Sequence, residues 1–271
     1  MQAELTLSKP DARKNLLKRG VRMVITSLIL SYPVLCVFLY INQRSLLYQP
    51  QPRAVSAKES TMTLPVDGAE LVVTMRPLDG PKAIVYFGGN SEDVSRNLAS
   101  FTKAFPDHAL YLMHYRGYGG STGAPTERAN VADGLALLEH VRAWHTEIAI
   151  IGRSLGSGVA VQVASRAAAD RLILVTPYDS IVEIGAQMYP FLPVRWLATD
   201  TYESVKFVPA ITIPTTIIMA ENDKIIPRAS TEKLLRGFGP GIATMTLIEG
   251  TDHDNVIVNQ TYLETLRAAL E

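Results

Sequence analysis

The sequence predicts an α/β domain on a mainly parallel sheet with helices on both faces, preceded by one N-terminal transmembrane helix. Three observations carry this. Short apolar runs such as AIVYF (83–87), ALYLM (109–113), LILV (172–175) and TTIIMA (215–220) alternate with stretches of helical periodicity. Strands this continuously apolar are covered on both faces. Residues 23–41 form a run of nineteen without a charge. Finally, IIGRSLGSGVA (150–160) reads as a buried strand that stops on a serine between two glycines.

The bulk composition sets outer bounds. A chain of 271 residues, 47% hydrophobic, is enough for one large α/β domain with a full core and a short extra segment. A formal net charge of zero gives no sign of nucleic acid or a polyanionic partner. The single cysteine, Cys36, excludes an internal disulfide.

Residues 1–22 form a basic segment carrying Lys9, Arg13, Lys14, Lys18, Arg19 and Arg22. Residues 23–43 read as a transmembrane anchor. Its charge-free part comes close to spanning a hydrocarbon core of ~30 Å. Pro33 lies mid-span, where a membrane helix tolerates it. Only Arg44, Arg53 and Lys58 follow in residues 44–60. This bias predicts the N-terminus inside and the rest of the chain outside, hence a single-pass protein of the cell inner membrane with its catalytic domain on the periplasmic side. A cleaved signal fits poorly. The run is long for one, and the nearest small-x-small site, Val55-Ser56-Ala57, lies too far downstream. Leu35 is too bulky for a lipoprotein signal at Cys36. Residues 44–60 contain QPQPRAVSAKES (49–60) and read as a linker, leaving 61–271 as the catalytic domain.

Within that domain strands are expected at 71–75, 83–87, 109–113, 148–151, 172–175, 215–220 and 243–248. Helices are expected around 131–141, at 156–168, 228–236 and 262–270, and in the 40 residues between Val175 and Thr215 (IVEIGAQMY and ATDTYESVKF). That interval holds no large cap. The site is therefore expected to be apolar and open, or covered by a small flap at 189–193.

In such sheets ligands sit at the carboxyl ends of the strands. The strand ending at 151 runs into Gly152-Arg153-Ser154-Leu155-Gly156. A strand turning at once into a helix strains the turning residue and crowds the positions two before and two after, so Gly152 and Gly156 must be small. A serine hydroxyl there needs a base, and the base needs an orienting carboxylate. Ser154, Asp223 and His253 each end a strand, in the order nucleophile, acid, histidine. His140 and His145 lie near a helix end, His108 precedes a strand and His114 lies upstream of the serine. Asp179 also ends a strand and remains a second candidate acid, or a cap for the helix starting near Ser180. Gly88-Gly89-Asn90 follows the strand 83–87 and can face backbone amides into a cleft, as an oxyanion hole requires.

VYFGGN, YRGYGGSTGAPTE, GRSLGS, TPYDS, ENDKIIP and GTDHDN together resemble the α/β-hydrolases. The likeness covers about residues 60–271. The chain is similar to membrane-anchored YfhR-like serine hydrolases of bacteria and, more distantly, to depalmitoylating thioesterases and prolyl-oligopeptidase-like catalytic domains. The resemblance implies an α/β-hydrolase fold with a minimal cap. It implies Ser154 as nucleophile, His253 as base and Asp223, rather than Asp179, as its orienter. It also implies the backbone amides of Asn90 and Leu155 as the oxyanion hole. Two positions depart from the common pattern: Gly88-Gly89 stands where many relatives have His-Gly, and His114 where many have Asp.

The expected activity is hydrolysis of an ester or thioester through an acyl-enzyme, on a small acyl ester, thioester or lipid, with no cofactor and no metal. Two alternatives stand beside it: a peptidase acting on small peptides, and a non-catalytic membrane-tethered binding module. GYGGSTG (117–123) has the wrong glycine spacing for a dinucleotide loop. Asp252-His253-Asp254 lacks a second cluster to complete a metal site.

Overall fold

The computed structural model describes residues 10–55, 57 and 60–271. The first nine residues of the basic segment, with Lys9, lie outside the described residues, as do Ser56 of the candidate cleavage site and Lys58 of the linker. The chain divides into two units, residues 1–43 and residues 44–271.

The first unit is most of one helix, α1 (Pro10–Leu47), which runs through Pro33 without a break and extends into the second unit. Residues 14–47 are long and apolar enough to cross a membrane, and large side chains such as Leu28, Leu30 and Phe38 stand exposed along them. The helix is longer than the 23–43 span read from the sequence. The charge-free run sets the apolar segment, and helical residues flank it on both sides.

The second unit is an eight-stranded sheet of order β1-β2-β4-β3-β5-β6-β7-β8. Its strands are β1 (Thr61–Val66), β2 (Ala69–Arg76), β3 (Lys82–Phe87), β4 (Ala109–Met113), β5 (Glu147–Arg153), β6 (Arg171–Val175), β7 (Thr215–Ala220) and β8 (Ala243–Ile248). β1 and β2 pair antiparallel, as do β2 and β4, and every other pairing is parallel. The helices are α2 (Leu98–Ala104), α3 (Glu127–Arg142), α4 (Leu155–Ala164), α5 (Ile181–Met188), α6 (Val194–Leu197), α7 (Arg228–Gly237) and α8 (Gln260–Leu270).

Strand pleating explains the continuous apolar runs. Val85 and Phe87 of β3 join one core with Leu137 of α3, Val159 of α4 and Leu234 of α7. Ile84 and Tyr86 of the same strand face the other way, into a core with Phe101 of α2 and Leu266 of α8. Every residue of the run 83–87 is buried, so no polar alternation survives there.

The helix expected over ATDTYESVKF does not form. Glu127 Oε2 accepts hydrogen bonds from the amides of Thr201, at 2.7 Å, and Tyr202, at 3.0 Å. Those amides are then unavailable to a helix, Tyr202 sits at φ 39°, and only the short 3₁₀ turn Ser204–Lys206 follows.

Candidate active site

Parallel register aligns the strand ends. Phe87 pairs with Gly152, Arg153 with Val175, and Ala220 with Ile248. The residues that follow β3, β5, β7 and β8 therefore gather at one edge of the sheet. Ser154 follows β5 at φ 48° and ψ −118°, a strained conformation for a residue with a side chain. Its amide donates to Val175 O at 2.9 Å, so the strained turn is pinned to β6. A Cβ on Gly152 would lie 2.5 Å from the Ala160 Cβ, and one on Gly156 would lie 2.1 Å from Phe87 O. Only glycine fits at either position, as the expected crowding requires.

His253, in the loop after β8, is 8% exposed. Its Nε2 lies 2.9 Å from Ser154 Oγ and its Nδ1 lies 2.7 Å from Asp223 Oδ2. A carboxylate only accepts, so Nδ1–H donates to Asp223 and Nε2 is left to accept from the serine hydroxyl. Asp223 is itself fixed, because its Oδ1 accepts from the amides of Ile225 (2.9 Å) and Ile226 (2.8 Å). The structure thus brings Ser154, His253 and Asp223 into one chain of hydrogen bonds. Asp179 is elsewhere. Its carboxylate accepts from Ser230 Oγ at 2.5 Å and pairs with Lys233 Nζ at 2.6 Å. Nor does Asp179 cap α5. Ser180 does, accepting from the Glu183 amide at 3.4 Å, because the capping position falls one residue later than expected.

Asn90 and Leu155 flank the serine. Leu155 is the first residue of α4, and the leading amides of a helix have no partner within it. The amide of Gly89 is taken by Glu92 Oε2 at 2.6 Å. The side chain of Asn90 is bound three times. Its Oδ1 accepts from the Gln49 amide (3.0 Å) and the Tyr118 hydroxyl (2.8 Å), and its Nδ2 donates to Leu47 O (2.6 Å). Tyr115 Oη donates to Gly88 O at 2.8 Å. The loop carrying Asn90 is held on both sides.

The residues read as a linker form much of this support. Gly119 N donates to Gln51 O (2.9 Å), and Arg53 Nη1 donates to Gly119 O (3.0 Å). The Ala54 amide donates to Asp93 Oδ2 (2.7 Å) and the Val55 amide to Ser95 Oγ (3.0 Å). Upstream, Asp200 Oδ2 accepts from Arg44 Nε (3.0 Å) and the Tyr48 hydroxyl (3.3 Å). Proline and polar residues suggest a free tether by composition. Here the same residues are an extended strap whose backbone bonds to loops.

A cleft of about 430 Å³ opens over Ser154 and His253. Its walls include Gln51, Pro52, Asn90, Asp93, Arg96 and Arg153. This departs from the apolar site expected: most of the residues that line it are polar, and the strap rather than residues 189–193 contributes to it. Larger spaces lie away from the serine, one of about 600 Å³ around Lys82, Glu147 and Arg171.

Sequence reasoning passed over Arg153 and Glu92. Arg153 Nη1 meets Glu92 Oε2 at 3.0 Å, both side chains being buried, and Nη2 donates to His253 O at 3.1 Å. Burial alone would lower the guanidinium, but Glu92 beside it raises it above its ordinary value. The signal was present in GRSLG. A cation placed inside the elbow must find an acid, and Glu92 closely follows GGN.

Sheet, elbow and strand-end cluster define the class. The chain belongs to the α/β-hydrolase superfamily. It is 31% identical over 220 residues to the uncharacterized protein Rv2307c of Mycobacterium tuberculosis, covering 73% of this chain and 76% of that one. It is 26% identical over 205 residues to the alpha/beta hydrolase domain-containing protein aho-3 of Caenorhabditis elegans, covering 73% of this chain and 60% of the relative. A 139-residue stretch is 33% identical to the lysophosphatidylserine lipase ABHD12 of Macaca fascicularis, over 44% of this chain and 35% of that protein. Among solved structures, the Pyrococcus furiosus esterase Pf2001 superposes with a TM-score of 0.60 at 16% identity, covering 82% of this chain and 94% of its own. The α/β-hydrolase MGS-M2 from a Medee basin deep-sea metagenome library superposes with a TM-score of 0.62 at 18% identity, over 77% and 95%. No protein-family model matches the chain. The solved structures share its fold, and two of these relatives carry hydrolase or lipase names.

Proposed function

We propose that the chain is a membrane-anchored serine hydrolase that cleaves acyl esters or thioesters. The observation that carries the reading is the relay from Asp223 through His253 to Ser154, 2.7 and 2.9 Å long, ending on a strained serine at a strand end. In the first half-reaction Ser154 Oγ attacks the acyl carbon and its proton passes to His253 Nε2. Asp223 holds the imidazole and stabilises the imidazolium. The oxyanion is received by the amides of Asn90 and Leu155. The intermediate collapses, the alcohol or thiol leaves with the proton from Nε2, and the acyl group remains on Ser154. Water then repeats the sequence, giving the free acid and restoring the serine.

The polar cleft suits a substrate whose leaving group is polar, and a lipid ester with a hydrophilic head fits that description. A relative's name, lysophosphatidylserine lipase, points the same way. We assign the anchor to residues 23–43 and the catalytic domain to 61–271, and the positive flank before residue 23 supports a periplasmic location for that domain at the inner membrane.

Turnover of p-nitrophenyl esters of graded chain length, an acyl thioester and a peptide amide, by wild type and Ser154→Ala, tests the reading. Ester or thioester turnover that vanishes in the variant is expected. Turnover unchanged in Ser154→Ala, or confined to the amide, overturns it.

A further inference from the structure

Unit 2 is well packed inside, so the apolar side chains it leaves outside carry information. Among its described residues ten large ones are exposed. Six of these, Met188, Tyr189, Phe191, Trp196, Ile225 and Val258, lie in segments that follow β6, β7 and β8. Asp200, just beyond the first of these segments, accepts from the Glu127 amide at the start of α3, on the strand-carboxyl side that also holds Ser154. Scattered exposed apolar residues are ordinary, but a concentration on one side marks an interaction surface. Four of the six fall within residues 188–197, where Trp196 is 89% exposed and Phe191 67%.

This stretch is a shaped tip. α5 and α6 are clamped by Arg195, whose Nε and Nη2 meet the two oxygens of Glu183 at 2.8 and 2.7 Å. Tyr189, Pro190, Phe191, Leu192 and Pro193 join the two helices. A tip held in one form loses little freedom when it is covered.

The location of the tip says what covers it. Four residues beyond Trp196 is Asp200, which holds Arg44 and Tyr48, where the chain leaves its apolar helix. Four residues span at most about 14 Å. Tyr48 Oη also lies 3.0 Å from Tyr202 Oη, so this junction is bonded at two points. The tip therefore stands beside the place where an anchor spanning residues 23–43 enters the domain. Tryptophan and tyrosine favour the membrane–water interface, where an apolar ring and a polar edge are both accommodated.

We propose that the strand-carboxyl side of the domain rests on the lipid bilayer, with the tip at 188–197 entering the interfacial layer. The anchor is then one of two membrane contacts, and the mouth of the cleft opens close to the lipid. The inference rests on reading residues 23–43 as an anchor and does not require turnover.

The chain has two tryptophans, Trp196 and Trp144. Trp144 is 73% exposed and precedes β5, at the opposite ends of the parallel strands. Full-length Trp144→Phe and Trp196→Phe, each in the Ser154→Ala background, would be reconstituted into phosphatidylcholine vesicles containing lipid brominated near the interface. The expected result is strong quenching and a blue shift for Trp196, with Trp144 unquenched. Trp196 quenched no more than Trp144, in protein that resists carbonate extraction, overturns the docking and leaves the anchor standing. A Trp196 blue shift that tracks protein-to-lipid ratio without quenching assigns the tip to a second copy of the chain and also overturns it. Protein that washes off with carbonate overturns anchor and docking together.

Discussion

Arg153 and Glu92 form a buried ion pair, 3.0 Å long, in the wall of the candidate site. Arg153 also donates to His253 O, while Glu92 receives the amide of Gly89 and the Tyr86 hydroxyl. Through this pair the loop carrying the histidine is tied to the loop carrying Asn90. Removing one partner leaves a buried charge uncompensated, which costs about 3–5 kcal/mol. Glu92→Gln should therefore lower the melting temperature sharply and reduce kcat. The double variant Arg153→Met/Glu92→Leu should be more stable than the sum of its singles. Additive losses in thermal melts would show that the two side chains do not act as a pair.

The two strand-end acids should separate cleanly. Asp223→Asn removes the acceptor that fixes the His253 tautomer, a change worth about 10⁴-fold in kcat, with little effect on melting. Asp179→Asn weakens the contacts to Lys233 and Ser230 that tie the start of α5 to α7. It should lower stability modestly and keep most activity. Steady-state kinetics beside melting curves would read both, and the opposite pattern would transfer the acid to Asp179.

The side chain of Asn90 ties the loop to the strap and to Tyr118, and Asn90→Ala removes those three bonds while keeping the backbone amide. A displacement of about 1 Å can cost about 10²-fold, so kcat should fall well beyond any change in KM. Gln49→Pro, which removes the strap's amide donor to Asn90 and Tyr118 together with the side-chain acceptor of Ser91, should reproduce part of the loss. A KM effect with kcat intact would mean that the loop is positioned without the strap.

His114 gives the domain an acid-sensitive element. It is 2% exposed, its Nε2 lies 2.9 Å from Thr74 Oγ1, and a Cβ on Gly119 would lie 2.0 Å from its Nδ1. Burial lowers it to about 4, helped by Arg53 and opposed by Asp93. The folded state thus holds the neutral ring while the unfolded chain protonates near its ordinary value of about 6.5. This contribution is fully present above pH 6.5 and is lost as pH falls toward 4, by a total on the order of 3 kcal/mol. His108 is also lowered by burial and acts in the same direction. Unfolding measured between pH 4 and 8 should show this acid limb, and His114→Gln should flatten most of it.

What could be read from the sequence follows from what each element asks of its residues. Interior strands such as β3 and β5 must be apolar throughout, and the elbow must have glycine at 152 and 156, so both were visible. β1 was not. It is an edge strand, half-exposed and interrupted by Pro65, and an edge tolerates proline because one side of its backbone is unpaired. Strand order marked Ser154, Asp223 and His253 as strand-end candidates but left Asp179 beside Asp223 until the resemblance separated them, while Glu92 and Arg153 depend on how loops fold back. The strap was hidden for a related reason. Most of its bonds are made by backbone atoms of Gln49, Gln51, Ala54 and Val55, and backbone bonding leaves no mark on composition.

That strap bears on where the protein can work. Ectodomains are often shed by one proteolytic cut in a stalk, and the freed piece diffuses away active. Here a cut beyond Val55 would leave residues 44–55 with the membrane stub, still gripping Asn90, Ser95, Gly119 and Asp200 in the severed domain. The two pieces would stay together until those bonds let go. On release, the soluble piece would lose the groups that brace its Asn90 loop. On the proposed reading, shedding and inactivation would be one event, and the chemistry would be confined to the membrane surface.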